Sequence, residues 1–208
     1  MARLNIAPTK SNQLGVRRDL AMATEGFSLL DQKREILVME LMRLLEHVRR
    51  AQRELRAKQE RAYATLRKAI ARNGYQRMLQ IGQGIRYVHR IQTGTRVAAG
   101  VRLPEIAVTH GEFCGQFSFA GTDSLLDQTM RDFLDLLTAV SEMAQLETSV
   151  FQLARELKRT QRRVNALEQI FIPEFRDTLK YISDSLAGKE LESFFVLKLV
   201  KKRLEGSA

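Results

Sequence analysis

Apolar side chains recur along the first part of the chain in alternating steps of three and four residues. A stripe with two apolar positions in every seven is typical of a coiled-coil seam, because a surface helix of a globular domain has a wider apolar face over a shorter span. A helical bundle within one compact domain is the alternative. The stripe comprises Leu20, Ala23, Phe27, Leu30, Arg34, Leu37, Leu41, Leu44, Val48, Ala51 and Leu55, of which Arg34 alone is polar.

The ends of this first helix are marked by residues that favour helix termini. Thr9 follows a proline and can accept a hydrogen bond from a free N–H of the first turn, whereas Asn73-Gly74 is a common helix stop. No proline interrupts the sequence between them. We therefore predict an N-terminal coiled-coil helix over residues 9–73.

A second long stripe predicts a C-terminal coiled-coil helix over residues 124–204, with Asp123 or Ser124 available as its N-cap. Three-residue steps from Val140 through Met143 to Leu146 predict a local shift of the coiled-coil register. Two long helices joined by a shorter segment pack most simply as an antiparallel pair. The stripe comprises Leu126, Met130, Phe133, Leu137, Val140, Met143, Leu146, Val150, Leu153 and Leu157.

Pro173 interrupts the later part of this helical pattern. A proline in a helix interior removes one backbone hydrogen bond and costs about 3 kcal/mol, yet apolar residues continue past it at helical spacing. The proline predicts a kink, and the alternative is that one helix ends at Ile172 and another begins at Pro173. Ile172 is a poor N-cap, which favours the kink. The flanking stripe comprises Val164, Leu167, Phe171, Phe175, Leu179, Ile182 and Leu186.

Residues 75–122 differ in character from the helical segments on either side. Glycines interrupt β-favouring runs such as IRYVHRI, TRVAAGVRL and EIAVT, and this favours strands joined by turns over helix. Pro104 predicts a sheet edge or a strand end, because proline cannot donate a ladder hydrogen bond. The predicted fold class is mainly α: a long antiparallel two-helix coiled coil with a small β-hairpin segment, including Gly100, Val101 and Pro104, inserted between the helices.

The composition excludes several classes of protein. A chain of 208 residues with 44% hydrophobic and 28% charged residues is not a disordered polymer. The single cysteine, Cys114, cannot form an internal disulfide, and this fits a reducing cytoplasm. No segment has the apolar length of a signal peptide or a spanning helix, so we expect neither export by that route nor direct membrane insertion.

A net charge of +10 predicts an acidic partner, which could be nucleic acid, anionic lipid or protein. Basic residues fall into two clusters on the predicted helices. Such clusters can be solvated helix faces or can bind phosphates, although no aromatic residues are interleaved for base stacking. A basic coiled coil that binds nucleic acid is therefore the alternative function. The clusters are Arg43, Arg49, Arg50 and Arg53, and Arg155, Lys158, Arg159, Arg162 and Arg163.

The sequence offers no convincing site for catalysis or for a cofactor. His110, Glu112 and Cys114 are close together in HGEFCG, but a second cluster of metal ligands is missing. The glycines of IGQG follow a long helix, whereas a phosphate-binding glycine loop follows a strand. We therefore predict a non-catalytic chain that holds no metal, nucleotide or other cofactor.

Several segments, in order along the chain, resemble the D subunit of the archaeal and vacuolar-type rotary ATPases, the family of central rotor shafts. The NALE…IP element is the most specific of them. The segments are APTKSNQL near the N-terminus, EGFSLLDQKREILVMEL at residues 25–41, GVRLPEI at 100–106, RRVNALEQIFIPEF, and FFVLKLVKK at 194–202.

This resemblance implies a coiled coil at the centre of a hexamer of alternating catalytic and non-catalytic subunits. Such a shaft would transmit torque between ATP synthesis or hydrolysis and H⁺ or Na⁺ transport through a membrane ring. The implied partners are the hexamer, the small F subunit of the rotor on the side of the shaft, and an adaptor at its foot that sits on the membrane ring. The chain would be peripheral, on the cytoplasmic side of the membrane, and would bind no nucleic acid.

The resemblance also suggests where partners bind. The seam of the first helix thins toward Lys58, Ala62 and Thr65, and we expect the small F subunit there. We expect the hexamer or its neighbours at the two basic clusters. A kink at Pro173 would make the shaft asymmetric, so that the surrounding catalytic sites meet different faces.

Overall fold

The computed structural model describes residues 4–85, 89–111 and 122–205. Two long helical segments flank a two-stranded hairpin, and this confirms the predicted mainly α fold. The elements in chain order are α1 (Lys10–Asn73), α2 (Tyr75–Gly84), β1 (His89–Ala98), β2 (Val101–His110), α3 (Ser124–Ala166), a π-helical turn (Leu167–Phe171) and α4 (Ile172–Glu205).

Helix α1 begins and ends where capping residues predict. The Thr9 hydroxyl accepts a hydrogen bond from the Asn12 N–H at 3.2 Å, which is the N-cap interaction. At the other end Gly74 has a φ of +84° and donates its N–H to the Ile70 carbonyl at 2.8 Å. Glycine adopts this positive φ without steric strain, and with a ψ of 146° the backbone leaves the helical path at Gly74.

The stripe predicted on α1 is the buried face of the helix. Every member of the stripe is buried or half-buried, and Leu37 is completely inaccessible. The polar member, Arg34, places its guanidinium 2.6 Å from the Asp31 carboxylate, three residues earlier. This ion pair lets a charged side chain lie at the seam without being buried unpaired.

The chain folds as two compact units. One comprises Met1–Glu35 with Lys158–Ala208, and the other comprises Ile36–Leu157. Each unit therefore contains a part of α1 and a part of the C-terminal helical region.

In the first unit, the start of α1 lies against α4. The Lys10 ammonium lies 2.9 Å from the Glu190 carboxylate. Further along α1, Leu14 and Arg17 line a groove together with Arg176 of α4. Because residue numbers rise along α1 while they fall along α4, these helices are antiparallel.

In the second unit, the later part of α1 lies against α3. Arg61 of α1 contacts Asp132, and Arg72, three turns further along, contacts Asp123 at 2.8 Å. Tyr63 packs edge-on against the ring of Phe133, with centroids 5.6 Å apart. The partner numbers again fall as α1 advances, so this pair is antiparallel too.

The seam of α3 departs from the prediction at one place. Ala139 is buried, whereas Val140 is 46% exposed. From Ala139 the steps to Met143 and Leu146 are four and three residues, so the predicted register shift at Val140 is wrong. The prediction chose Val140 because its larger side chain gives a stronger apolar signal in the sequence than the small Ala139, which lies on the seam.

Helix α2 occupies a segment for which strands were predicted. Gly82 and Gly84 suggested turns, but glycine in a helix interior only costs about 1 kcal/mol relative to alanine. The apolar residues of α2, among them Met78 and Ile81, line a groove with the end of α1 and the start of α3. Contact with these helices favours the helical conformation over the local preference of the glycines, and the first strand starts only at His89.

The chain stays helical through Pro173. Ile172 has helical backbone angles, φ −63° and ψ −46°, and its N–H donates to the carbonyl of Leu167, five residues earlier. This wider π-helical turn lies directly before the proline, and it gives the ring space that a regular α-helix would not. The alternative of a helix end between Ile172 and Pro173 is therefore wrong.

The π-helical turn also shifts the seam by one residue. Ile172 is buried, whereas Phe171, which the stripe predicted on the seam, is 44% exposed. The buried seam residue before Ile172 is Val164, eight residues earlier. This spacing is one residue longer than a heptad, and the wider π-helical turn accommodates the extra residue. Phe171 consequently lies at the surface, where its ring stacks against Phe175 with centroids 6.5 Å apart.

Strands β1 and β2 form an antiparallel hairpin in which His89 lies opposite His110 and Ala98 lies opposite Val101. The two residues of the turn, Ala99 and Gly100, have φ values of +52° and +73°. A two-residue turn with positive φ at both positions is type I′, which matches the twist of the flanking strands. Gly100 meets this requirement without strain.

Pro104 lies within β2, and its position explains why the hairpin tolerates it. The Ile106 N–H points away from β1, since it donates to the side-chain oxygen of Gln145 on α3 at 2.8 Å. Orientations alternate along an antiparallel strand, so the nitrogen of Pro104 also points away from β1. The proline thus removes no hydrogen bond from the ladder.

The hairpin contacts the helices of its unit through β2. Leu103 is almost completely buried in a small core. At the open end of the hairpin, His110 Nε2 lies 2.7 Å from the Thr138 hydroxyl, and His110 Nδ1 lies 3.2 Å from His89 Nδ1. β1, in contrast, is exposed along nearly its whole length. The other buried core residues are Leu37, Leu44 and Leu153.

A buried carboxylate crosses the seam between α1 and α3. The Asp132 side chain is 2% exposed and lies 3.0 Å from Arg61 Nε. It also accepts hydrogen bonds from the Thr65 hydroxyl at 3.0 Å and from Gln128 Nε2 at 2.9 Å. A buried charge is tolerated only when it is paired and hydrogen-bonded. Asp132 therefore favours one alignment of α1 on α3.

Replacing Asp132 with alanine should lower the free energy of unfolding by about 1–3 kcal/mol, because the hydrogen-bond donors of Thr65 and Gln128 lose their buried acceptor. Asp135→Ala is the matched control, since Asp135 is exposed on the same helix and its loss should change stability by about 0.5 kcal/mol or less. Urea unfolding of the full chain measures both. Equal effects would show that Asp132 does not hold the alignment.

Pro173→Ala should change the free energy of unfolding by less than about 1 kcal/mol, because the π-helical turn already accommodates the ring. If the proline instead strained a regular α-helix, its replacement by alanine would raise the free energy of unfolding by about 3 kcal/mol. Urea unfolding distinguishes the two values. A gain near the larger value would contradict the role assigned to the π-helical turn.

Gly100→Ala should speed amide hydrogen exchange in the hairpin ladder about fivefold or more, since a Cβ at positive φ costs about 1–2 kcal/mol. No atom lies within 4 Å of the added methyl group, so the effect would be purely conformational. Gly94→Ala is the control, because its Cβ would make an ordinary contact, 3.7 Å from the Glu105 Cβ. Equal exchange in both variants would rule out a turn-specific effect.

Candidate functional site: exposed surfaces of the helices and hairpin

The first basic cluster lies on the solvent-exposed surface of α1. Arg43, Arg49, Arg50 and Arg53 are all exposed. Arg43 lies 3.9 Å from Glu40, and an exposed pair of this kind contributes about 0–1 kcal/mol. The cluster is therefore available to a partner at little cost in stability.

The three positions predicted to bind the small F subunit differ in how far they are exposed to solvent. Lys58 is half-buried, Ala62 is completely buried, and the Thr65 hydroxyl donates to Asp132. The side chains of Ala62 and Thr65 are directed toward α3, because both belong to the seam. A partner at this level would instead contact their exposed neighbours on α1.

Tyr63 is the largest of these exposed neighbours. Its ring packs against the ring of Phe133, while about half of the residue stays accessible to solvent. It lies in a shallow groove of about 430 Å³. The sequence did not predict Tyr63 as a contact residue, because a single tyrosine outside the apolar stripe indicates no particular role. The other residues that line the groove are Arg56, Gln59, Glu60 and Arg67.

The second basic cluster is exposed as well. Lys158, Arg159, Arg162 and Arg163 belong to the first unit, whereas Arg155 belongs to the second. All five side chains are on the surface of α3. The charges of Arg155, Lys158, Arg162 and Arg163 are available to an acidic partner, as are those of the first cluster.

The C-terminal end of α4 exposes an unusual amount of apolar surface. Successive residues of a helix are about 100° apart, so the consecutive residues Phe194, Phe195, Val196 and Leu197 face all sides of it. Each is between 58% and 67% exposed. The sequence-based prediction of partner sites did not include this segment, because that prediction relied on the seam spacing and on charge clusters. Four consecutive apolar residues show neither. Leu191, Leu199 and Val200 are further exposed apolar residues here.

A mostly apolar groove of about 310 Å³ lies where the end of α1, helix α2 and the start of α3 meet. Tyr75 and Leu79 of α2 are exposed beside it, and Leu66 and Phe133 contribute from the long helices. Its apolar lining suits a protein partner better than a charged ligand.

The described residues offer little for catalysis or metal binding. Within them, no three His, Cys, Asp or Glu side chains come close enough together to hold a metal ion. Glu112 and Cys114, which the sequence places near His110, lie outside the described ranges. None of the helices in the described ranges combines the length and apolar content needed to span a membrane.

Comparison with known proteins gives one consistent result. The family model for the D subunit of ATP synthase matches residues 12–202. The V-type ATP synthase D subunit of Thermotoga neapolitana is 34% identical, with 97% of this chain and 99% of the relative covered. The second V-type ATP synthase D subunit of Treponema pallidum is 37% identical, with 95% of each chain covered.

An archaeal relative agrees with the bacterial ones. The A-type ATP synthase D subunit of Pyrococcus horikoshii is 35% identical, with 97% of this chain and 96% of the relative covered. The match extends through the long helices and the hairpin alike, and it covers nearly the whole of each protein. The chain therefore belongs to the family of ATP synthase D subunits.

Proposed function

We propose that this chain is the central-stalk subunit of an A/V-type ATP synthase, and that it transmits torque between a catalytic hexamer and an ion-transporting membrane ring. Its membership in the D-subunit family supports this role. In this proposal the chain is non-catalytic, and ATP synthesis or hydrolysis belongs to other subunits. The alternative of a nucleic-acid-binding coiled coil gains no support from the family or from its relatives.

The observation that carries the proposal is the apolar end of α4. Lys10, at the start of α1, pairs with Glu190, so residues of α4 beyond Glu190 have no part of α1 beside them. A helix that is apolar on all sides is normally enclosed on all sides. A single flat partner would leave part of this surface in water, whereas the central cavity of a ring of subunits would enclose it.

The basic clusters suit a shaft that turns within such a ring. Exposed arginine and lysine side chains form ion pairs worth about 0–1 kcal/mol each. Contacts this weak can be exchanged as the shaft rotates. We therefore assign the exposed clusters at Arg43–Arg53 and Arg155–Arg163 to passing contacts with the hexamer or its neighbours.

The remaining partners are assigned by surface chemistry. We place the small F subunit at the level of Lys58–Thr65, with Tyr63 as its main contact rather than the buried Ala62. We place the membrane-ring adaptor at the apolar groove beside α2. The chain would then be peripheral to the membrane, on the cytoplasmic side, with other subunits carrying the ions.

Pro173 has a proposed role in this mechanism. A shaft must present different faces to the surrounding catalytic sites, and a local distortion of one helix supplies asymmetry. π-helical turns are rare and frequently occur at functional sites. The exposed Phe171 ring, stacked on the half-buried Phe175, would give one side of the shaft an apolar contact surface.

The proposal is tested by substituting Phe194, Phe195 and Leu197 together with serine. Burial of each side chain contributes about 1.5–3 kcal/mol, so binding of this chain to a hexamer that lacks it should weaken at least about tenfold. The number of ions transported per ATP hydrolysed should fall in complexes reconstituted with the variant. Titration of the hexamer and ion-uptake assays measure these two quantities.

The matched control replaces Lys198 and Lys202 with glutamine, which changes the charge of the same helix end and leaves its apolar side chains in place. This control should bind and couple as the unmodified chain does. If the serine variant binds the hexamer with unchanged affinity and full coupling, the apolar end does not hold the shaft and the proposal fails.

A further inference from the structure

Strand β1 is an open sheet edge. The hairpin contains two strands, and β2 faces the helices through Leu103 and the Ile106 N–H. β1 therefore has one hydrogen-bonded neighbour and an outer edge that faces solvent. Ten residues of extended chain make this edge about 33 Å long. Natural proteins usually cover or blunt a long open edge, because it is a template for pairing with another strand.

The ladder register shows which backbone groups point outward. Ile106 lies opposite Thr93 and directs its N–H away from β1, so this is a non-hydrogen-bonded pair. Thr93 consequently directs its own N–H and carbonyl to the outer edge, and by alternation so do Ile91, Thr95 and Val97. From Arg90 to Val97, the described chain makes no hydrogen bond on this edge.

The side chains of β1 are also suited to strand pairing. Ile91, Thr93, Thr95 and Val97 alternate along one face, and all of them are β-branched and exposed. Residues of this type have the highest preference for strands. A strand that is exposed on both faces and on one edge gains stability from a third strand, because a two-stranded hairpin is marginal alone.

The charges of the strand select the kind of partner. Arg90 and Arg96 lie six positions apart on the face opposite the β-branched residues, and β1 has no carboxylate. Neither arginine forms an ion pair in the described part of the chain. Glu105 lies on the same face, opposite Gly94, but on β2 and so away from the outer edge.

The same charges disfavour a second copy of this chain as the partner. Antiparallel pairing of two β1 strands can centre on Gly94, which places two glycines opposite each other and is weak. Pairing centred on Thr93 would place Arg90 of each copy opposite Arg96 of the other. Like charges directly opposite each other destabilise a strand pair. A segment with carboxylates six residues apart would instead pair favourably with both guanidinium groups.

We propose that β1 is a strand-addition site for an extended acidic segment of another polypeptide, which hydrogen-bonds to Ile91, Thr93, Thr95 and Val97 and places carboxylates beside Arg90 and Arg96. The main chain supplies affinity in this mode of recognition, and alternate side chains supply specificity. The site goes beyond the proposed rotor function and does not depend on it.

The test uses the full isotope-labelled chain and the capped peptide Thr-Glu-Val-Thr-Val-Thr-Val-Glu-Val-Thr, whose glutamates are six positions apart. Amide exchange measured by NMR should slow at Ile91, Thr93, Thr95 and Val97 when the peptide is added. The amides of Gln92, Gly94 and Arg96 already face β2 and should change little. A peptide with lysine in place of both glutamates should bind at least about threefold more weakly.

Two variants separate the outer edge from the rest of the hairpin. Thr93→Pro removes an outward N–H without breaking the β1–β2 ladder, as Pro104 does on β2, and should weaken peptide binding about fivefold or more. Thr93→Val keeps the N–H and the β-branch and should bind as the unmodified chain does. Arg90→Glu with Arg96→Glu should reverse the preference, so that the lysine peptide binds more tightly.

Three results would overturn the proposal. The first is an absence of protection at the four outward amides at millimolar peptide. The second is equal binding of the two peptides to the unmodified chain. The third is concentration-dependent self-association that Thr93→Pro abolishes, since this would identify a second copy as the occupant of the edge.

Discussion

Two antiparallel helices can bury only one stripe of each, and this limit determines most of the structure. In both units a narrow apolar seam holds α1 to its partner helix, while the opposite surfaces remain in water. The hairpin adds one buried leucine, Leu103, to the seam but leaves β1 exposed. The fold therefore has a thin core and a large free surface, which is the form expected of a protein that works inside an assembly.

A thin apolar seam specifies alignment weakly, because successive heptads resemble one another. Polar groups within the seam supply the missing specificity. Asp132 accepts hydrogen bonds from both helices of its unit, and the buried Thr178 hydroxyl accepts the Leu4 N–H at 3.1 Å in the other. A sliding of one helix by a heptad would take Arg61 and Thr65 away from Asp132 and leave a buried carboxylate without its charged partner. That loss costs more than the equivalent exchange of leucines.

Local chemistry explains which parts of the fold were predictable. Thr9, Gly74 and the α1 stripe act through near neighbours in sequence, and their predicted roles are observed. Val140 and Phe171 were wrongly placed on the seam. The small side chain of Ala139 hides the true seam position beside Val140, and the π-helical turn shifts the register before Phe171, and neither effect is visible in a regular apolar period. α2 was missed because its helical state depends on contact with the long helices. The candidate surfaces were predictable only in part: charge clusters are evident in the sequence, whereas the burial of Ala62, the exposure of Tyr63 and the open edge of β1 depend on which face meets α3.

Rotation is the central claim, and direct observation tests it best. A bead can be attached through Gln92→Cys on the exposed strand β1, with Cys114 replaced by serine, in a complex whose catalytic hexamer is fixed to a surface. The account predicts that the bead turns in one direction when ATP is added and stops when ATP is removed. A bead that stays fixed while the same complex hydrolyses ATP would contradict the account.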